Sequence, residues 1–172
     1  LQYAHTHGVV HRDVKPENIL VGPFGEVLLL DWGLAKVRSE EGTASEIDDM
    51  TSESLTDDQT MTGFQKLQGT IAYMSPEQIK KAPDIDGRTD IYSLGVVLYE
   101  ALTGVKPSLG DTMDKIKAST LNDIPIIPSE ISTTPISQVL DDIVMQCLAK
   151  DANKRMQSIG ELIRLLKEGL GV

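Results

Sequence analysis

His11-Arg12-Asp13-Val14-Lys15-Pro16-Glu17-Asn18 runs without a break into the apolar triplet Ile19-Leu20-Val21, and a second apolar run, Glu26-Val27-Leu28-Leu29-Leu30, leads into Asp31-Trp32-Gly33. Between the two runs lies Gly22-Pro23-Phe24-Gly25, whose residues favour a tight reversal, so the spacing predicts two short strands joined as a hairpin. A hairpin returns the chain to its own start. Asn18 at the entrance and Asp31 at the exit therefore meet, with Asp13 on the preceding loop. Two oxygen ligands in such a place suit Mg²⁺, a hard cation that takes one or two protein oxygens and completes its shell with phosphate and water.

Outward from this hairpin the pattern is helical. Gly8 suits the position just past a helix C-terminus, so residues 1–7 are expected to end a helix. Ser75-Pro76-Glu77 combines a capping residue, a proline and an acid, which together favour a helix start. Asp90 stands as a candidate cap for Ile91 to Leu102, whose apolar residues run almost all the way round, and Gly104 closes that segment. The expectation is a central buried helix. A weak helical signal covers 111–118. Ile136, Val139, Leu140, Ile143, Val144, Cys147 and Leu148 recur at i, i+3, i+4, i+7, and a last helix near 158–168 turns Ile159, Leu162, Ile163 and Leu166 inward. The sum is a mainly α body with one small hairpin.

Composition limits the possible roles. At 172 residues, with 40% hydrophobic and 24% charged positions, the chain suits one folded domain or part of one, not a collagen-like, coiled-coil or disordered class. The net charge of −10 is concentrated: eight acidic residues and no Lys or Arg lie between Ser39 and Gln65, and the other 18 acidic residues nearly balance 16 basic ones. No basic footprint for nucleic acid is present. The longest apolar stretch, Ile91 to Leu102, carries Ser93 and Glu100 and falls short of the ~20 residues a bilayer span needs. A single cysteine, Cys147, on an apolar stripe and no secretory leader predict a reducing, cytoplasmic setting.

The ordered strings H-R-D-x-K-x-x-N, D-W-G and Gly69-Thr70-Ile71-Ala72-Tyr73-Met74-Ser75-Pro76-Glu77 resemble the signature set of the protein kinase superfamily. In style the chain is similar to the bacterial Ser/Thr branch, through Tyr73 to Gln78 and Asp90-Ile91-Tyr92-Ser93-Leu94-Gly95. The resemblance implies the large, C-terminal lobe of the α+β kinase fold, mainly α, with the hairpin carrying the catalytic and metal-binding motifs. It implies transfer of the γ-phosphate of ATP to Ser or Thr hydroxyls of protein substrates in signalling. Asp13 then resembles the residue that takes or orients the hydroxyl proton, Lys15 the cation on the transferring phosphate, and Asn18 and Asp31 the Mg²⁺ ligands. Thr70 resembles the hydroxyl that braces Asp13 and Lys15. His11 and Trp32 resemble members of an internal apolar stack, with His5 and His7 left at the surface. Asp90 resembles the acid that accepts N–H bonds from the catalytic loop, and Glu77 with Arg155 a buried ion pair.

The same resemblance assigns residues 1–172 to a partial kinase domain and 34–77 to its activation segment, with an acidic insert over about 39–65. Arg12, just before Asp13, and Lys36, five residues after Asp31, resemble cations that pair with an activation-loop phosphate. Thr62 and Thr60, eight and ten residues before Thr70, are the expected acceptors. No G-x-G-x-x-G, no V-A-I-K lysine and no partner helix occur, so the N-lobe is read as absent and as a partner supplied in cis. A pseudokinase scaffold is one alternative. A small-molecule phosphotransferase is the other; Arg12, Lys15 and the Gly69 to Glu77 platform argue against it.

Overall fold

The structure, a computed structural model, describes residues 1–37 and 68–171, the side chains of Lys36 and Val37 excepted. Helix α1 (Gln2–Thr6) leads into strand β1 (Val9–Val10), a 3₁₀ turn (Pro16–Asn18), and strands β2 (Ile19–Val21), β3 (Val27–Leu29) and β4 (Lys36–Val37). Helices α2 (Pro76–Ile79), α3 (Arg88–Thr103), α4 (Met113–Asn122), α5 (Pro128–Ile131), α6 (Gln138–Cys147) and α7 (Ile159–Leu170) follow, with a second 3₁₀ turn (Ala152–Lys154) before α7. The body is mainly helical.

The hairpin forms with Ile19 opposite Leu29, Leu20 opposite Leu28 and Val21 opposite Val27. Gly25 supplies the left-handed turn residue at φ 86°. A second two-stranded sheet, absent from the sequence reading, pairs β1 with β4, Val9 facing Val37 and Val10 facing Lys36. Two-residue strands are too short to show an alternating pattern, and only the meeting of distant segments creates them.

Helix α3 is the axis of the core. Tyr92, Val96 and Tyr99 pack with Tyr73, Val144 and Leu148 on one side, while Ile91 packs with Ile143, Cys147, Met156, Ile159 and Leu162 on the other. Burial on both sides explains why apolar residues encircle this helix. Gly95 lets α6 approach: a Cβ there would lie 2.6 Å from the Cβ of Cys147. Cys147 is fully buried, and desolvation pushes its thiol up to about 12, so it stays protonated and inert. Gly104 ends α3 at φ 76°.

Three local expectations need correction. Asp90 is not the cap of α3: the helix begins two residues earlier, at Arg88, and the Asp90 carboxylate accepts backbone N–H bonds from His11 and Arg12 instead. Val139 and Ile163 are 47% and 40% exposed, because α6 and α7 bury narrower stripes than their apolar residues span. His5 is not a surface histidine. It is half-buried, with Nε2 2.7 Å from the Asp90 carboxylate, whereas His7 is exposed.

Candidate active site

The loop from His11 to Asn18 is anchored before its polar groups are placed. Val10, His11 and Val14 are buried, which pins the stretch of backbone that carries Arg12 and Asp13. Asp90, fully buried on α3, accepts the backbone N–H of His11 at 2.9 Å and of Arg12 at 2.8 Å. Both oxygens of the carboxylate are used for this. Arg12 itself sits at φ 69°, a left-handed conformation that a non-glycine residue keeps only when its surroundings hold it.

His11 closes the loop on its inner side. Its Nε2 donates to the carbonyl of Leu30 at 3.0 Å, and its Nδ1 accepts from the Asp13 N–H at 3.2 Å. With both ring nitrogens occupied by the backbone, His11 acts as a strut. The Trp32 ring meets it edge-on at 4.6 Å, yet Trp32 remains 40% exposed, so within this chain it is not an internal residue.

The candidate functional side chains converge next to this strut. Lys15 Nζ lies 2.7 Å from Asp13 Oδ2 and donates to Thr70 Oγ1 at 3.2 Å. The Asn18 amide donates to Asp13 Oδ2 at 3.0 Å and to the Asp13 carbonyl at 2.8 Å. Asp13, Lys15, Asn18 and Thr70 thus form one cluster, although Thr70 is 55 residues from Lys15. The Leu30 N–H donates to the Asn18 carbonyl at 2.8 Å, which brings Asp31, the next residue, alongside Asn18. Asp31 has φ 58° and accepts the Gly33 N–H at 3.3 Å through Oδ1.

Among the described residues no group of three or more His, Cys, Asp or Glu side chains can hold a metal ion. The donors at hand are instead one amide oxygen, on Asn18, and one carboxylate, on Asp31. That set is too sparse for a closed protein cage and fits a hard cation that brings phosphate and water with it.

Behind the cluster lies the platform. Tyr73 donates its hydroxyl to Glu100, and burial followed by this bond pushes its phenol up, so it stays a donor. Glu77 and Arg155 form a two-pronged pair, Nη1 to Oε1 and Nη2 to Oε2, each at 2.6 Å. Burial alone raises the Glu77 carboxyl, but the bonds and charge of Arg155 together outweigh it and hold it below its usual 4.5. Gln78, to which the sequence assigns no role of its own, donates from Nε2 to the Arg12 carbonyl at 2.7 Å. The Ser75-x-x-Gln78 spacing of a capping box is its visible signal. Lys36 as a side chain, and Thr60 and Thr62 entirely, lie outside the described residues.

The family model described as "Protein kinase domain" matches residues 1–164. The chain is 41% identical over 165 residues to the serine/threonine-protein kinase PknD of Protochlamydia amoebophila, covering 94% of this chain and 16% of that protein. It is 40% identical over 164 residues to PknD of Chlamydia caviae, covering 94% and 17%. Identity is 33% over 162 residues to the serine/threonine-protein kinase PknB of Mycolicibacterium smegmatis, covering 94% and 23%. The chain therefore spans less than a quarter of the length of these relatives. No helix among the described residues is long and apolar enough to cross a membrane.

Proposed function

Because this chain belongs to the protein kinase domain family, we propose that its protein transfers the γ-phosphate of ATP to Ser and Thr hydroxyls of protein substrates. The observation that carries this reading is the Asp13 carboxylate held between Lys15 and Asn18, with Lys15 tied in turn to Thr70. In the proposed reaction Asp13 accepts the proton of the attacking hydroxyl, and the Lys15 ammonium bonds a γ-phosphate oxygen. Thr70 keeps Lys15 at a fixed distance from the base. Asn18 Oδ1 and the Asp31 carboxylate would hold Mg²⁺, which neutralises charge on the phosphates. Catalysis then rests on positioning and electrostatics.

Residues 1–172 are proposed to be part of a kinase domain, its C-lobe, with the N-lobe a partner in cis. The hairpin supports this: Val21 and Phe24 are 67% and 95% exposed, and Leu20, Val27, Leu28 and Leu30 are exposed beside them. Apolar side chains exposed on both faces of a hairpin call for a cover. A cytoplasmic, signalling role is proposed with it, and the unpaired thiol of Cys147 is in keeping with a reducing compartment.

Residues 34–77 are proposed as the activation segment, with Thr62 or Thr60 as the phosphorylated residue. The Nε of Arg12 is buried with no partner among the described residues, which supports Arg12 as one receiver of that phosphate, with Lys36 as the second. The test is incorporation of labelled phosphate into a generic Ser/Thr protein by the full-length protein, with phosphopeptide mapping of residues 38–67. Absence of transfer by wild type overturns the reaction. Full activity with no phosphate in that segment overturns the regulation.

A further inference from the structure

The peptide plane that joins Arg12 to Asp13 is held at both ends. Its N–H donates to His11 Nδ1 at 3.2 Å, and its carbonyl accepts from Gln78 Nε2 at 2.7 Å. Rotation of this plane would swing the Asp13 side chain out of reach of Lys15, and the left-handed φ of Arg12 gives the segment a reason to relax. His11 resists from one side. Gln78 resists from the other.

Gln78 is itself fixed by the platform. Its Oε1 accepts the Ser75 N–H at 3.0 Å, and its own N–H donates to Ser75 Oγ at 3.3 Å, so the amide can only turn its NH₂ toward Arg12. Ser75 Oγ lies 2.5 Å from the Thr89 hydroxyl on α3, and the next residue of α3, Asp90, holds the Arg12 N–H. The contacts close a ring: Thr89, Ser75, Gln78, Arg12 and Asp90. The ring joins the platform behind Thr70 to the loop that carries Asp13.

We propose that Gln78 is a positioning residue for the phosphoryl transfer: its side-chain amide locks the Arg12–Asp13 peptide and ties the orientation of Asp13 to the platform of residues 70–77. This rests on the kinase reading given above. A helix cap alone would need only the acceptor half of the side chain. The donor half is what reaches the catalytic loop.

Gln78→Glu separates the two. Glu keeps an acceptor for the Ser75 N–H and preserves the capping box, but sets a carboxylate against the Arg12 carbonyl. In the full-length protein the expected result is a fall in kcat of roughly ten- to a hundredfold, as for other small displacements of a reacting group. KM for ATP and the melting midpoint should stay at wild-type values, and amide hydrogen exchange of residues 11–13 should speed up while α6 does not change. As the pH falls toward the carboxyl range, protonated Glu regains a donor, so the ratio of variant to wild-type kcat should rise. Unchanged kcat, or unchanged exchange over 11–13, overturns the proposal. So does a fall in kcat that follows a general drop in melting midpoint with faster exchange in α6. A wild type with no phosphate transfer defeats the kinase reading instead, and the exchange comparison then decides the positioning by itself.

Discussion

Arg155 grips Glu77 with both terminal guanidinium nitrogens across 78 residues of sequence, and its remaining donors go to the carbonyls of Ala149, Arg88 and Lys150. The Arg155 side chain is fully buried, and its guanidinium lies 5.1 Å from the Tyr92 ring centre. One side chain thus ties the platform, the start of α3 and the turn before α7 together. Removal of either partner leaves a buried charge unmatched, at a cost of about 3–5 kcal/mol. Glu77→Gln, Arg155→Met and the double variant, compared by urea unfolding of the full-length protein, should show the double change costing less than the sum of the singles. Additive losses would show that the pair is not coupled.

The lowered Glu77 carboxyl gives this pair a pH signature. A group whose folded value lies below its ordinary 4.5 contributes stability that is fully present above that value and is lost as the pH falls through the folded one. The urea midpoint of wild type should therefore exceed that of Glu77→Gln by a constant margin from pH 7 down to about 5, then by a shrinking margin on further acidification. A margin that grows in acid would mean that Glu77 carries no stabilising charge.

Loss of chemistry should be separable from loss of fold. Asp13→Asn preserves the shape that accepts from Lys15 while removing the base, and Asp31→Ala removes the one carboxylate of the proposed metal site. Each should lower kcat, Asp13→Asn by the roughly 10²–10⁴ that a positioned base contributes. The Asp31 variant should also bind Mg²⁺ nucleotide more weakly, as read by titration calorimetry, because Asn18 alone remains. Melting midpoints near wild type would confirm intact folding, and near wild-type turnover in Asp13→Asn would remove Asp13 from the reaction.

The tight contact of α3 with α6 at Gly95 sets a packing limit. Gly95→Ala would place its methyl 2.6 Å from the Cys147 Cβ and 3.3 Å from Leu148 Cδ2. Neither neighbour is a flexible chain end with room to move, so the helices must separate. Overpacking of this kind costs about 1–3 kcal/mol, larger than the gain alanine brings to a helix interior. Thermal unfolding should show a lower midpoint. A rise would mean that the interface has slack.

Much of this molecule can be read without coordinates because the signals are local. The strands at 19–21 and 27–29 follow from apolar runs around Gly22 and Gly25, the start of α2 from Ser75 and Pro76, and the end of α3 from Gly104. Each depends on backbone preferences acting over a few residues, and so do the motifs that carry the family resemblance. What the fold alone decided are partnerships across long separations. Asp90 looks like a cap by its place before an apolar run; only the family resemblance pointed to the loop residues 78 and 79 positions away to which its carboxylate turns. Gln78 looks like part of a helix start, yet half of its amide reaches back 66 residues to Arg12. Val139 and Ile163 share an apolar period with their buried neighbours but stay 47% and 40% exposed. Period and propensity record which conformation a segment prefers. Which buried donor a side chain must satisfy, and which side of a helix is covered, depends on what the rest of the chain brings to it, and that is settled only when the elements pack.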